Sequence, residues 1–214
     1  MELIQHLIEF ILHIDKHLAD IISQYGTLTY AILFVIIFAE TGFVITPFLP
    51  GDSLLFATGA LAANPAMNLN IHLMALILIV AAIIGNMVNY QVGRWVGPAV
   101  FNRNYKLLKK EYLDRTQQFY EKHGGKTIIY SRFMPIIRTF APFVAGIGKM
   151  NYGRFAFFNF VGGLAWVVIF LYVGFFFGNS DFVKNNFSAV IVAIIFISLL
   201  PIVFEAVKAR NAKK

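Results

Sequence analysis

The chain has 214 residues, of which 58% are hydrophobic and only 14% are charged. Soluble domains of this length carry about 25% charged residues, so the composition excludes an ordinary soluble protein. Charged residues are absent from residues 21–39, 53–93, 155–180 and 185–204, and a helix needs about 20 apolar residues in succession to cross a bilayer. The sequence therefore predicts an all-α polytopic membrane protein with a single membrane domain over residues 1–214.

The first predicted element is an amphipathic helix over residues 2–24, which we expect to lie in the membrane interface without crossing it. A broken apolar stretch follows at residues 27–63. Its helix-breaking residues are Pro47, Pro50 and Gly51. Proline lacks a backbone donor and ends or kinks a helix, and irregular backbone at membrane depth must be buried in protein or line a wet cavity. We therefore predict a re-entrant hairpin, followed by a transmembrane helix at residues 70–97.

The middle of the chain is strongly basic. Residues 94–126 contain eight basic and three acidic residues, and the C-terminus adds Lys208, Arg210, Lys213 and Lys214. Short basic loops stay in the cytoplasm, so we expect both segments to be cytoplasmic, where they also attract anionic lipid headgroups. This placement argues against nucleic acid as the partner of the net charge of +7. A second amphipathic helix is predicted within this region, at residues 106–122.

The second half of the chain follows the same order as the first. A broken stretch covers residues 127–150, and transmembrane helices are predicted at residues 154–178 and 184–207. The breaks in this stretch are Pro135, Pro142 and Gly146. Because the helix at residues 70–97 runs inward, that at residues 154–178 runs outward and that at residues 184–207 runs back in, each broken stretch must leave and re-enter the membrane on one side.

Amphipathic helix, broken hairpin and long helix thus occur twice, at residues 1–98 and 104–178. We predict that the two repeats are inverted, because one hairpin enters from the outside and the other from the cytoplasm. Inverted repeats with broken helices that meet near the midplane are typical of secondary transporters. Polar residues on the long helices are candidates for lining a pathway, although small and polar stripes also serve close helix packing. These candidates are Asn86, Asn89, Tyr90 and Asn159.

Four charged residues lie inside the predicted hairpins: Glu40, Asp52, Arg132 and Arg138. Ionised side chains within a membrane are expensive and usually functional. A guanidinium group binds phosphate through two parallel hydrogen bonds, so both arginines are predicted to hold an anionic headgroup. A buried carboxyl group takes up a proton unless an arginine keeps it ionised, so the two acidic residues are predicted to couple proton flow to lipid movement. Two structural ion pairs that lock the hairpins together remain the alternative.

No enzyme activity, cofactor or metal site is predicted. The absence of cysteine excludes disulfides, thiolate ligands and cysteine nucleophiles. The chain also lacks a Ser-His-Asp set, a phosphate-binding glycine loop and a His-Glu-x-x-His motif.

Two long segments resemble the signature stretches of the DedA family, also called the SNARE-associated or VTT-domain family. They are FAETGFVITPFLPGDS at residues 38–53 and SRFMPIIRTFAPFVAG at residues 131–146, and FYEKHGGK at residues 119–126 is similar as well. The resemblance implies a bacterial inner-membrane protein with two re-entrant hairpins, linked to undecaprenyl phosphate recycling and proton-dependent membrane homeostasis. It also implies that the family's essential charged positions correspond to Glu40, Asp52, Arg132 and Arg138.

We therefore expect a proton-coupled transporter or flippase that moves undecaprenyl phosphate or another anionic phospholipid. A proton-driven antiporter of small ions or solutes is one alternative, and a non-transporting membrane-organising protein is another. The expected partners are membrane lipids and protons, and an oligomer is compatible with the sequence.

Overall fold

The computed structural model describes residues 14–43, 51–96, 116–118, 120–121, 123–178, 180–194 and 196–197. Every regular element in this part of the chain is helical, which confirms the predicted all-α class. The chain divides into two compact units. The first comprises Met1–Leu33, Pro50–Ile77 and Val167–Lys214, and the second comprises Phe34–Leu49 and Leu78–Trp166.

The first helix, α1, spans Ile14–Tyr25 and is amphipathic as the sequence predicts. Leu18 and Ile22 are buried, whereas Asp20 is exposed. In the first unit, α1 packs against α3, which spans Gly51–Ala62. The predicted helix over residues 2–24 begins outside the described residues.

The described part of the predicted first hairpin contains two helices, α2 at Leu28–Gly42 and α3. Gly26 lies two residues before α2 in the left-handed region, with a φ of 52°, and Gly124 begins the corresponding segment of the second half with a φ of 57°. Glycine adopts this conformation without steric cost. Gly51 starts α3, whereas the other two predicted breaks, Pro47 and Pro50, lie outside the described residues.

Two long helices begin in the same way. Helix α4 spans Ile71–Val96 and α7 spans Tyr152–Phe177, with 26 residues each. The side-chain oxygens of Asn70 and Asn151 accept backbone N–H groups of the first turn, as N-caps do. Both helices are long and apolar enough to cross a membrane, and their bounds agree with the predicted spans within two residues.

Paired glycines bring helices into close contact in both units. In the first unit, a Cβ atom on Gly59 of α3 would lie under 3.0 Å from the backbone of Leu171, and one on Gly174 of α7 would meet the backbone of Phe56 equally closely. Such close approach of two backbones is possible only without side chains, which is the packing role of small residues in membrane helices.

The second unit contains the equivalent pair. Gly146 lies against the backbone of Tyr90, and Gly93 lies against the backbone of Phe143, again under 3.0 Å from an added Cβ atom. Gly93 and Gly174 occupy the same position in α4 and α7. In the first unit, α3 therefore packs through glycine against the end of α7, and in the second unit, the helix at Pro135–Ile147 packs through glycine against the end of α4. Each contact joins a helix from one half of the sequence to the long helix of the other half.

The predicted second hairpin contains α5, at Thr127–Ser131, and α6, at Pro135–Ile147. Residues 132–134 form a turn that interrupts the helix, and Pro135 occupies the start of α6. The prediction that Pro142 and Gly146 also break the helix is wrong, because α6 continues through both to Ile147. Pro142 removes only one backbone hydrogen bond, and tertiary packing of this buried helix outweighs that loss.

The C-terminal helix begins later than the sequence predicts. A short helix, α8, spans Asp181–Asn185 and is capped by the side chain of Ser180. The chain turns at Asn186, whose side chain donates to the carbonyl of Phe182 at 3.0 Å. Helical structure resumes at residue 187, and the predicted end at residue 207 lies outside the described residues.

Candidate functional site

Glu40 and Arg138 form a buried ion pair in the second unit. Glu40 lies near the end of α2, and Arg138 lies in the first turns of α6, so the pair joins helices from the two hairpins. The two residues are 1% and 4% exposed. Removal of one partner from such a pair leaves an uncompensated buried charge. The predicted contact between an acidic residue of one hairpin and an arginine of the other is therefore present.

Arg132 lies at the break between α5 and α6 and is 1% exposed. Its Nη2 atom donates to the carbonyl of Ala82 at 3.2 Å and to Oδ1 of Asn159 at 2.7 Å. Both partners are neutral. The Nε and Nη1 atoms are buried and have no hydrogen-bond partner among the described residues. Unsatisfied buried donors are uncommon and costly in proteins.

Two glycines of α7 make room for this guanidinium group. A Cβ atom on Gly163 would lie 3.3 Å from Nη2 of Arg132 and 3.1 Å from a side-chain atom of Ile83. One on Gly162 would lie 3.1 Å from Cα of Ile129 and 3.4 Å from Cδ of Arg132. The double glycine therefore permits a large charged side chain to lie flat against a helix.

The predicted asparagines are buried and connect the helices of the second unit. Asn159 accepts a hydrogen bond from Nδ2 of Asn86 at 3.0 Å, and its own Nδ2 donates to the carbonyl of Ile83 at 3.0 Å. Asn89 donates to the carbonyls of Thr41 and Thr139, at 3.2 and 2.8 Å. These amides hold α2, α4, α6 and α7 around the charged residues.

Tyr90 is also buried, and its hydroxyl group donates to the carbonyl of Met150. Its ring stacks on Phe155, with 4.3 Å between the ring centroids. These contacts connect the end of α4 to the start of α7. The expectation that Tyr90 and the three asparagines line a pathway stays a prediction.

Trp166 faces both arginines. Its side chain is fully buried, and its ring centroid lies 5.1 Å from Cζ of Arg138 and 5.8 Å from Cζ of Arg132. An indole ring attracts cations through the negative potential of its face, most strongly where water is excluded. In the sequence, Trp166 follows Asn159 by seven residues and so shares its helical face, but that spacing does not indicate a contact with arginine.

Asp52 is buried in the first turn of α3, where the helix dipole favours a negative charge. It belongs to the first unit, whereas the other three predicted charges belong to the second. Within the second unit, the described buried charges are Glu40, Arg132 and Arg138. Among these described residues, two guanidinium groups and one carboxylate leave an excess of one positive charge.

The sequence and its relatives identify the family. A family model described as the VTT domain matches residues 49–176, and the protein DedA of Escherichia coli strain K12 is 55% identical over 213 residues. That alignment covers 99% of this chain and 97% of the relative. The chain belongs to the DedA, or VTT-domain, family.

Other DedA-family relatives are named as membrane proteins. An uncharacterized membrane protein of Mycobacterium tuberculosis is 40% identical over 191 residues, covering 89% of this chain and 84% of its own. The inner membrane protein YqjA of E. coli strain K12 is 38% identical over 181 residues, covering 84% and 81%. No solved structure matches the chain. Together with the two long apolar helices, these relatives place this DedA-family chain in a membrane.

Proposed function

We propose that this protein is a proton-coupled transporter that moves an anionic lipid, most simply undecaprenyl phosphate, across the bacterial inner membrane. The observation that carries the proposal is the buried positive excess of the second unit, together with the donors of Arg132 that have no partner among the described residues. An apolar chain with an interior anion-binding group suits a ligand that has a charged headgroup and a lipid tail. The relatives named as inner-membrane proteins support the location.

The buried ion pair supplies the coupling step. Glu40 stays ionised beside Arg138 while the site carries its excess positive charge. An anionic headgroup that binds in the site cancels that excess, so protonation of the buried Glu40 carboxylate becomes favourable. Glu40 then takes up one proton as the headgroup binds, and it releases that proton when the headgroup leaves. Asp52 would serve as the second proton-coupling residue.

The matching halves of the sequence support a transporter architecture. Equivalent asparagine caps, equivalent left-handed glycines and equivalent glycine contacts occur in both halves. We infer that the halves are inverted repeats with one re-entrant hairpin each, an arrangement that serves alternating access in other transporters. The basic loop and the C-terminus are then cytoplasmic.

The decisive experiment is transport by the purified protein in liposomes. Leaflet-resolved undecaprenyl phosphate is followed with and without an imposed pH gradient, and protein-free liposomes serve as the control. We expect faster movement with the protein and a further increase with the gradient. No acceleration under either condition would refute lipid transport and favour an antiporter of small solutes or a membrane-organising role.

A further inference from the structure

The two buried arginines of the second unit differ in their partners. Arg138 is ion-paired with Glu40, whereas the hydrogen-bond acceptors of Arg132 in the described part of the chain are uncharged, namely the carbonyl of Ala82 and the amide of Asn159. Two of the three nitrogens of Arg132, Nε and Nη1, lack a partner among the described residues, although both are buried. Of the two guanidinium groups, that of Arg132 is therefore the one without a carboxylate hydrogen-bonded to it among the described residues.

We propose that Arg132 is the residue that binds the phosphate group, and that Arg138 serves the carboxylate of Glu40 and does not hold the ligand. This inference rests on the proposed function and assigns its binding step to one residue. The ligand class is a phosphate monoester or inorganic phosphate, because a guanidinium group with two open N–H donors matches phosphate oxygens.

Neighbouring residues position this guanidinium group. Asn159 holds Nη2 while it accepts from Asn86, so the planar group is fixed on one edge, and its Nε and Nη1 donors remain unpaired within the described ranges. Gly163 lets the guanidinium group pack closely against α7, where a side chain would collide with it. The indole of Trp166 lies near the guanidinium group of Arg132, so binding of an anion changes the electric field at the ring.

That geometry provides an optical test that does not depend on transport. The chain has two tryptophans, and Trp95 is 77% exposed, so a Trp95→Phe background leaves Trp166 as the only indole. The fluorescence of this background protein in maltoside micelles is titrated with inorganic phosphate and, separately, with monododecyl phosphate. Dodecyltrimethylammonium, a cationic amphiphile of the same chain length, is the control.

We expect a saturable change with the phosphates and none with the cationic amphiphile. Arg132→Gln should raise the titration midpoint at least about tenfold, as the loss of a charge-assisted hydrogen bond does. The paired substitution Glu40→Gln with Arg138→Gln keeps the net charge of the site, so it should raise the midpoint clearly less than Arg132→Gln does. A lower midpoint for monododecyl phosphate identifies a lipid as the ligand, whereas equal midpoints identify phosphate itself.

Three results would overturn the assignment: no saturation with either phosphate, an unchanged midpoint in Arg132→Gln, or a loss of binding in the paired variant as large as in Arg132→Gln. Should Arg132→Gln fail to fold, Arg132→Lys gives the same test, because an ammonium group cannot reach both open positions. An Arg132→Lys midpoint equal to that of the background protein would then overturn it. Saturable binding without lipid movement in liposomes would refute the proposed function and leave this assignment intact.

Discussion

At the scale of single residues, the buried charges of the second unit have unequal partners. Glu40 and Arg138 neutralise each other, and Arg132 keeps a positive charge beside neutral amides. Burial of an isolated charge is expensive, whereas a buried pair can often be replaced as a whole by neutral residues. Neutralising one residue or both residues of the pair can therefore distinguish a structural role of the pair from a functional one.

The pair is tested by single and double neutralisation. Glu40→Gln and Arg138→Gln alone should each destabilise the protein by about 3–5 kcal/mol, because each leaves one buried charge without its counterpart. The double variant should regain most of that stability. Thermal unfolding in detergent measures stability, and lipid movement in liposomes measures transport.

The transport result of the double variant distinguishes the two roles. If Glu40 couples protons, the double variant folds but loses the dependence of transport on the pH gradient. Restoration of gradient-driven transport together with stability would mean that the pair is only scaffolding. The Trp95→Phe substitution, at an exposed position, is the control for nonspecific effects.

At the scale of helices, the reciprocal glycine contacts are the repeated feature. Gly59 and Gly174 form one pair, Gly146 and Gly93 form the other, and each glycine lies against a backbone that cannot move aside as a flexible side chain does. The contacts bring hairpin helices onto the ends of α4 and α7. They depend on the absence of a single methyl group at each position.

Alanine substitution tests these contacts. Gly59→Ala and Gly146→Ala should each destabilise the protein by about 1–3 kcal/mol or more through overpacking, and the two effects should be similar because the contacts are equivalent. The matched control is Gly153→Ala in α7, where the nearest atom is the side-chain oxygen of Asn151 at 3.3 Å. That change should be neutral or stabilising, because alanine favours a helix over glycine by about 1 kcal/mol.

The measurement is the apparent unfolding temperature in one detergent, with recovery of monodisperse protein by gel filtration. Midpoints for Gly59→Ala and Gly146→Ala at or above that of Gly153→Ala would contradict the close backbone contacts. A large effect at one position and none at the other would contradict the equivalence of the two halves.

At the scale of the whole molecule, charge determines orientation. The basic segment 94–126 and the basic C-terminus should remain in the cytoplasm, which places residues 64–69 and 179–183 outside. Since the chain has no cysteine, single cysteines can report this orientation. A cysteine replacing Ala66, which is exposed, should react with an impermeant thiol reagent in intact cells, whereas one replacing Asn104 should react only after lysis. Labelling of the Asn104 position in intact cells would reverse the proposed topology.

Several features of the fold were determined by the sequence itself. The bounds of α4 and α7 follow from uninterrupted apolar runs that begin after an asparagine cap, because capping and membrane solvation are local properties of the chain. The family and the four charged positions were likewise evident from contiguous residues. The repeated glycines marked where the two halves correspond.

Only the tertiary structure decided how these residues meet. Glu40 pairs with Arg138, 98 residues away, and Arg132 meets Asn159 instead of a carboxylate. Helical periodicity assigns a residue to a face but does not say which other helix that face will contact. The same reason explains Pro142 and Gly146: their local preference is to break a helix, yet α6 continues because its burial against other helices outweighs a propensity of a few kcal/mol. Pairing and packing depend on the three-dimensional arrangement of distant segments, which no local pattern contains.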